Sequence, residues 1–176
     1  MAYSIHEHVH RFAVWTAGTA ARTKGNRFKV KHAKEILEAA GFDARFLTRN
    51  LPKAAIMDQE HDQWRDSVIA AAGQRGFNFT HGIAAKLINV YLKTAFVSLK
   101  GAKQDSVDSL HPPFDSLLLK GLKKADNSQK KEWTVLAKKG WSKWDSSDYQ
   151  RAVELGRQER ASRPFWTIEE HWRGYQ

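Results

Sequence analysis

The chain has 176 residues, of which 41% are hydrophobic, with seven Trp and nine Phe, enough for one domain with a real core. Its formal charge of +10 points to polyanionic partners, nucleic acid first. The lack of cysteine excludes disulfides, zinc thiolate sites and thiol catalysis, and no stretch approaches the ~20 apolar residues of a membrane span.

At the N-terminus no basic region precedes an apolar one, so a secretory signal is not expected. The expected location is the cytosol, on the nucleoid in a prokaryote. Ser4 and Glu7 have capping-box spacing. A helix follows, carrying Ile5, Val9, Phe12, Ala13, Thr16 and Ala20 on one face, and Lys24-Gly25-Asn26 ends it. His6, His8 and His10 fall on different faces of that helix, so no metal site is expected there. A second helix covers residues 30–40 and is closed by Gly41. The stretch from Asp43 to Lys53 fits neither helix nor strand, and Pro52 breaks it.

A third helix is expected from Asp58 to Gln74, with Trp64, Val68, Ile69 and Ala72 inward. Phe77 to Gly82 is too short for another element. The next helix opens near Ile83 and continues to about Leu99. Lys100 to Leu110 reads as a polar loop, and His111-Pro112-Pro113 must be extended. Asp115 can cap a helix from Ser116 to Lys124. A short helix at Lys130–Lys139 and a longer one at Ser146–Ala161 follow, and Thr167 can cap a last short one containing Ile168 and Trp172. No segment alternates like a strand. The expected fold is all-α, one helical domain over residues 1–176.

Two segments carry the chemistry. In Thr80-His81-Gly82-Ile83-Ala84-Ala85-Lys86, a glycine turn leads directly into a helix. Such a turn aims backbone N–H groups at an anion and suits a phosphate. Lys86 is placed in the first turn of that helix, and Asn89 and Lys93 share its polar stripe. Helix potential and partial burial both lower a lysine's pKa, and a neutral amine can form a Schiff base. A solvated lysine is the plainer alternative. The second segment is Pro112-Pro113-Phe114-Asp115. A carboxylate held there can take a proton or stabilise developing positive charge, or it can simply cap the next helix.

In this order the two segments resemble the helix-hairpin-helix DNA glycosylase superfamily. Gly82-Ile83-Ala84-Ala85-Lys86 is similar to the family's Gly-Val-Gly-x-Lys hairpin, with Ala84 in place of the second glycine. Pro113-Phe114-Asp115 is similar to its Pro-Val-Asp. The separation of 29 positions from Lys86 to Asp115 resembles the archaeal 8-oxoguanine DNA glycosylase branch. The motif segments cover about a fifth of the chain, and the chain is shorter than typical members.

The resemblance implies a helix-hairpin-helix element over about residues 58–99 and a catalytic loop over about 110–116. It implies Lys86 as nucleophile on the sugar C1′ and Asp115 as the assisting carboxylate, with β-lyase activity following base loss. It assigns Phe79, Thr80, His81, Gly82, Ile83 and Ala84 to a phosphate-holding hairpin. The substrate is duplex DNA with a damaged or modified base, an oxidised purine such as 8-oxoguanine first. No metal, cofactor or membrane is called for, and the chain is expected to act as a monomer.

Base flipping needs aromatic groups around the extruded base. Trp15, Trp133, Trp141, Trp144 and Trp166 are candidates, although buried tryptophans more often belong to a core. Asn89, Lys93, His111, Lys120, Lys123 and Lys124 are candidates for facing DNA, within a wider basic run that continues through Lys130, Lys131, Lys138, Lys139 and Lys143. A solvated helix face accounts for such a run equally well. Two other readings stand beside the glycosylase: a non-catalytic helical DNA-binding module, and an RNA-directed nuclease or toxin using His81 or His111.

Overall fold

Helix α1 covers Ile5–Ala20, with the Ser4 side chain accepting from the Glu7 amide as its cap. Its buried face is His10, Ala13, Val14, Ala17 and Gly18, not the stripe expected from its apolar residues. Ile5, Phe12 and Trp15 stay exposed. Small residues win this face because α1 packs closely on α2, Val30–Ala39. Gly41 follows at φ +93°, where the chain reverses and the Phe42 amide bonds the Leu37 carbonyl. The segment that fitted neither helix nor strand, Asp43 to Lys53, contains a 3₁₀ turn at Phe46–Thr48, and a second turn, Ala54–Ile56, follows it.

The computed structural model describes residues 3–98, 105–125 and 128–174. Among these no strand occurs, and the fold is all-α. Helix α3 runs Met57–Gly73 and α4 runs His81–Leu92. The expected helix near Ile83 thus opens two residues earlier, because the Thr80 hydroxyl caps it at the Ile83 amide. After Leu92 the chain continues as a π-helical segment, Lys93–Ser98. The loop expected at 100–110 contains a short helix α5, Asp105–Asp108; its earlier part lies outside the described residues. Three further α-helices follow: α6 at Ser116–Ala125, α7 at Lys130–Lys139 and α8 at Ser146–Arg160. The last helix is a 3₁₀ segment, Phe165–His171, and Thr167 lies inside it rather than capping it.

Two apolar clusters share α4 between them. One gathers α1, α2, α3 and most of α4; the other gathers Ala85 with α6, α7, α8 and Phe165. Every residue of α4 from Gly82 to Leu92 is buried. A helix apolar on two faces and polar on a third must meet polar groups inside the protein. The Lys86 and Asn89 stripe therefore lies where the two clusters meet. No helix among the described residues is long and apolar enough to cross a membrane.

Candidate functional site

Lys86 and Asp115 meet. Their Nζ and Oδ2 atoms are 2.8 Å apart, and Nζ also lies 3.4 Å from the Pro113 carbonyl. Asp115 divides its two oxygens between two tasks. Oδ1 accepts from the Leu117 and Leu118 amides and caps α6. Oδ2 faces Lys86 and accepts from the Trp172 indole at 3.0 Å. Helix cap and site carboxylate are one residue. The two rigid prolines before it fix the approach, and α4 fixes the lysine.

Lys86 lies in the second turn of α4, not the first, since the helix opens at His81. The helix dipole acts within the first turn, so burial is what pulls the Lys86 ammonium below its ordinary range, and the Asp115 carboxylate partly restores it. Burial also pushes Asp115 up. Lys86, the Leu118 amide and Trp172 more than offset this and hold it below the usual carboxylate range. The desolvation cost falls on the lysine because its side chain is 6% exposed against 19% for the aspartate. Close by, Lys93 pairs with Glu169, whose carboxyl is raised by burial. Lys86, Lys93, Asp115, Glu169 and Trp172 thus form one charged cluster beneath the C-terminal segment.

One turn beyond Lys86, Asn89 begins a second polar system that crosses between the two apolar clusters. Its donors and acceptors run in a single consistent direction, with tautomers assigned from their partners. Arg65 donates to His61 Nδ1 at 3.1 Å, and His61 Nε2 donates to Asn89 Oδ1 at 2.6 Å. The Asn89 amide donates to the Pro112 carbonyl and the Tyr149 hydroxyl, both at 2.9 Å. Tyr149 donates to His111 Nδ1 at 3.0 Å, and His111 Nε2 donates to Asp58 at 2.8 Å. The His61 and His111 rings stack at 4.3 Å, and the Arg65 guanidinium lies 4.4 Å from the Tyr149 ring centroid. Burial depresses both histidines, so the chain of bonds is built for neutral imidazoles. His111 therefore orients a structural network; no atom of Asp115 is among its partners.

The phosphate-holding hairpin needs correction. The Gly82 amide already donates to the Trp144 carbonyl, the Ile83 amide to Thr80 Oγ1 and the Ala84 amide to the Thr80 carbonyl. Thr80 in turn donates to the Ser142 carbonyl. A Cβ on Gly82 would sit 1.7 Å from the Trp141 carbonyl oxygen, so the glycine serves close packing. Phe79, Ile83 and Ala84 are core residues, and His81 accepts from Arg65. The start of α4 is thus packed against the 3₁₀ segment Trp141–Lys143, and its Gly82, Ile83 and Ala84 amides are bonded within the protein.

The base-pocket tryptophans also separate. Trp133 and Trp144 are fully buried, and Trp144 donates to the Leu136 carbonyl. They are core, as their large apolar area favours. Trp141 is half-buried against both clusters. Trp15 is 54% exposed on α1 and stacks on Phe12. The tryptophan that reaches the site is Trp172, expected only as part of a terminal helix. Lys120 and Lys124 are exposed, and Lys123 is half-buried. Among the described residues no group of three or more His, Asp or Glu side chains could hold a metal ion.

The chain matches no protein-family model, no curated protein and no solved structure. Sequence reasoning missed Arg65, His61, Tyr149, Glu169 and Trp172. A buried arginine and histidine one turn apart on α3 were a signal, because both interrupt the inward stripe of that helix. Nothing local marked Glu169 or Trp172, which arrive through a long-range fold.

Proposed function

We propose that this protein is a DNA glycosylase with β-lyase activity that removes a modified base from duplex DNA. The observation that carries the reading is the buried Lys86 ammonium held 2.8 Å from Asp115. In the reaction Lys86 passes its proton to Asp115, which makes the amine nucleophilic. The nitrogen lone pair forms a bond to the sugar C1′ as the bond from C1′ to the base breaks. The base leaves with that electron pair and takes up the proton held by Asp115. Asp115, a carboxylate again, stabilises the positive charge that develops on the sugar. The nitrogen then gives a proton to O4′ as the C1′–O4′ bond breaks, and the Schiff base so formed acidifies the C2′ proton; loss of that proton expels the 3′ phosphate, and water then releases Lys86. An oxidised purine such as 8-oxoguanine is the first substrate to test, with the protein acting as a monomer in the cytosol.

The test is borohydride trapping on duplexes that each carry one modified base. Wild type is expected to give a covalent adduct on at least one of them, and Lys86→Gln none. Asp115→Asn should trap about 10²-fold more slowly, at the low end of the ordinary range for removing a proton-transfer group. An adduct that persists in Lys86→Gln refutes the assignment.

A second reading has one observation in its favour. The Lys86 ammonium is engaged by Asp115 and the Pro113 carbonyl, with the Trp172 indole on the same carboxylate. Such a closed arrangement suits a structural clamp in a non-catalytic DNA-binding module. That reading predicts salt-sensitive binding and no adduct or strand product on any duplex.

A further inference from the structure

Beside Asp115 and Trp172 lies a cleft of about 510 Å³ between α6 and the C-terminal segment. Leu117, Lys120, Gly121 and Lys124 line it from one side of α6, as spacings of three and four residues require. His171 and Arg173 line it from the other. No carboxylate is among its walls. Lys120, Lys124 and Arg173 are exposed, and none of the three is in an ion pair among the described residues. Several other surface cations are paired, Lys139 with Asp145 and Asp148, Arg151 with Glu132 and Glu154, Arg163 with Glu170; the cleft at the α1–α2 junction, lined by Arg22, Lys24, Arg27 and Lys29, is also basic but lies on other elements than the Lys86 and Asp115 pair. Three unpaired cations converging on a concave surface make a focused positive field.

The cleft exists because of one glycine. A Cβ on Gly121 would lie 1.9 Å from the His171 carbonyl oxygen. Only glycine lets the C-terminal segment settle directly on α6, and the same contact lays Trp172 on Asp115 and Arg173 over the cleft. The cationic groove and the Trp172 contact to Asp115 therefore depend on one packing event.

We propose that this cleft seats consecutive backbone phosphates of a DNA strand, flanking the nucleotide presented to Lys86. The proposal rests on the glycosylase reading for the nucleotide at Lys86 but not for binding itself. It moves the phosphate site from the start of α4, where the Gly82, Ile83 and Ala84 amides are bonded within the protein, to the face of α6. Lys120, Lys124 and Arg173 supply charge-assisted contacts to phosphate oxygens, and Leu117, 43% exposed at the rim, offers apolar contact to a sugar.

The experiment measures binding of the full chain to matched duplex DNA, single-stranded DNA and duplex RNA by fluorescence anisotropy across a potassium chloride series. Wild type is compared with Lys120→Gln/Lys124→Gln, with Arg173→Gln, and with the charge-matched control Arg27→Gln/Lys29→Gln. That control alters another basic cleft, at the α1–α2 junction. On duplex DNA the double α6 variant should lose about 2 from the slope of log affinity against log salt, and Arg173→Gln about 1, since each phosphate contact contributes roughly 0.9. The control should keep the wild-type slope. An equal loss in the control means diffuse attraction and overturns the cleft, as does an unchanged slope in the α6 variants. Tighter binding of duplex RNA at equal salt overturns the DNA assignment. The lysine chemistry is scored separately by trapping. Cleft-dependent binding without any adduct leaves the cleft and removes the lyase. An adduct with no loss of slope leaves the lyase and removes the cleft.

Discussion

Asp115 shows how much one side chain can hold. Replacing it by alanine removes the α6 cap, worth about 1 kcal/mol, and leaves a buried lysine without its counter-charge. Unpairing a fully buried ion costs about 3–5 kcal/mol, and here the aspartate's 19% exposure places the cost below that range. Asp115→Ala is therefore expected to lose about 2–4 kcal/mol in urea unfolding. Asp115→Asn retains a capping oxygen and should lose less. An equal loss in both variants would mean that the cap contributes nothing. Lys86 gives a complementary prediction. Burial lowers its pKa, so the trapping rate should rise with pH and reach half its maximum below the ordinary lysine value of 10.5. A midpoint at or above that value would contradict a buried nucleophile.

Among the elements, α4 was the most legible from sequence and also the most misread. Its polar stripe of Lys86 and Asn89 and its apolar remainder were visible as periodicity, and Lys86 and Asp115 do meet. The register of its start was not visible, because Thr80 and His81 outcompete the glycine turn only once the Trp141–Lys143 segment packs on them. On α1 the apolar residues misled, since close approach to α2 selects Ala13, Ala17 and Gly18 over Ile5 and Phe12. Trp172 and Glu169 could not be placed, because their position depends on the glycine contact at Gly121. Gly82→Ala tests the corrected role of that glycine. A Cβ 1.7 Å from the Trp141 carbonyl oxygen forces α4 and the 3₁₀ segment apart, and the expected loss is about 1–3 kcal/mol. If thermal unfolding of Gly82→Ala matches wild type, the glycine is not a packing requirement.

At the scale of the molecule, the two apolar clusters are joined through the network from Arg65 to Asp58, and this makes stability depend on pH. His61 and His111 are depressed by burial below the ordinary value of 6.5, so the unfolded chain binds more protons as pH falls beneath it. Their contribution is complete above 6.5 and is lost as pH falls toward their folded values. Asp58 is held near 2 by the hydrogen bond from His111, against the effect of its own burial, with Arg157 adding to the depression; 3.8 is its ordinary value. Its contribution is present above 3.8 and is lost as pH falls toward 2. The melting temperature should therefore be level from pH 7 to 8, fall below 6.5 and fall again below 4. His111→Asn should flatten the first decline, and a profile unchanged by that substitution would rule out the histidines as its cause. The all-α class and single helical domain followed from periodicity, capping residues and the lack of alternation. The network did not, because its members come from α3, α4, α8 and the proline loop and meet only in the folded chain.

The most direct measurement digests the borohydride-trapped complex and locates the DNA remnant by mass spectrometry. The account predicts the added mass on Lys86 alone, in the peptide that follows Gly82. An adduct on Lys93, Lys120 or any other amine, or no adduct on any modified duplex, would contradict it.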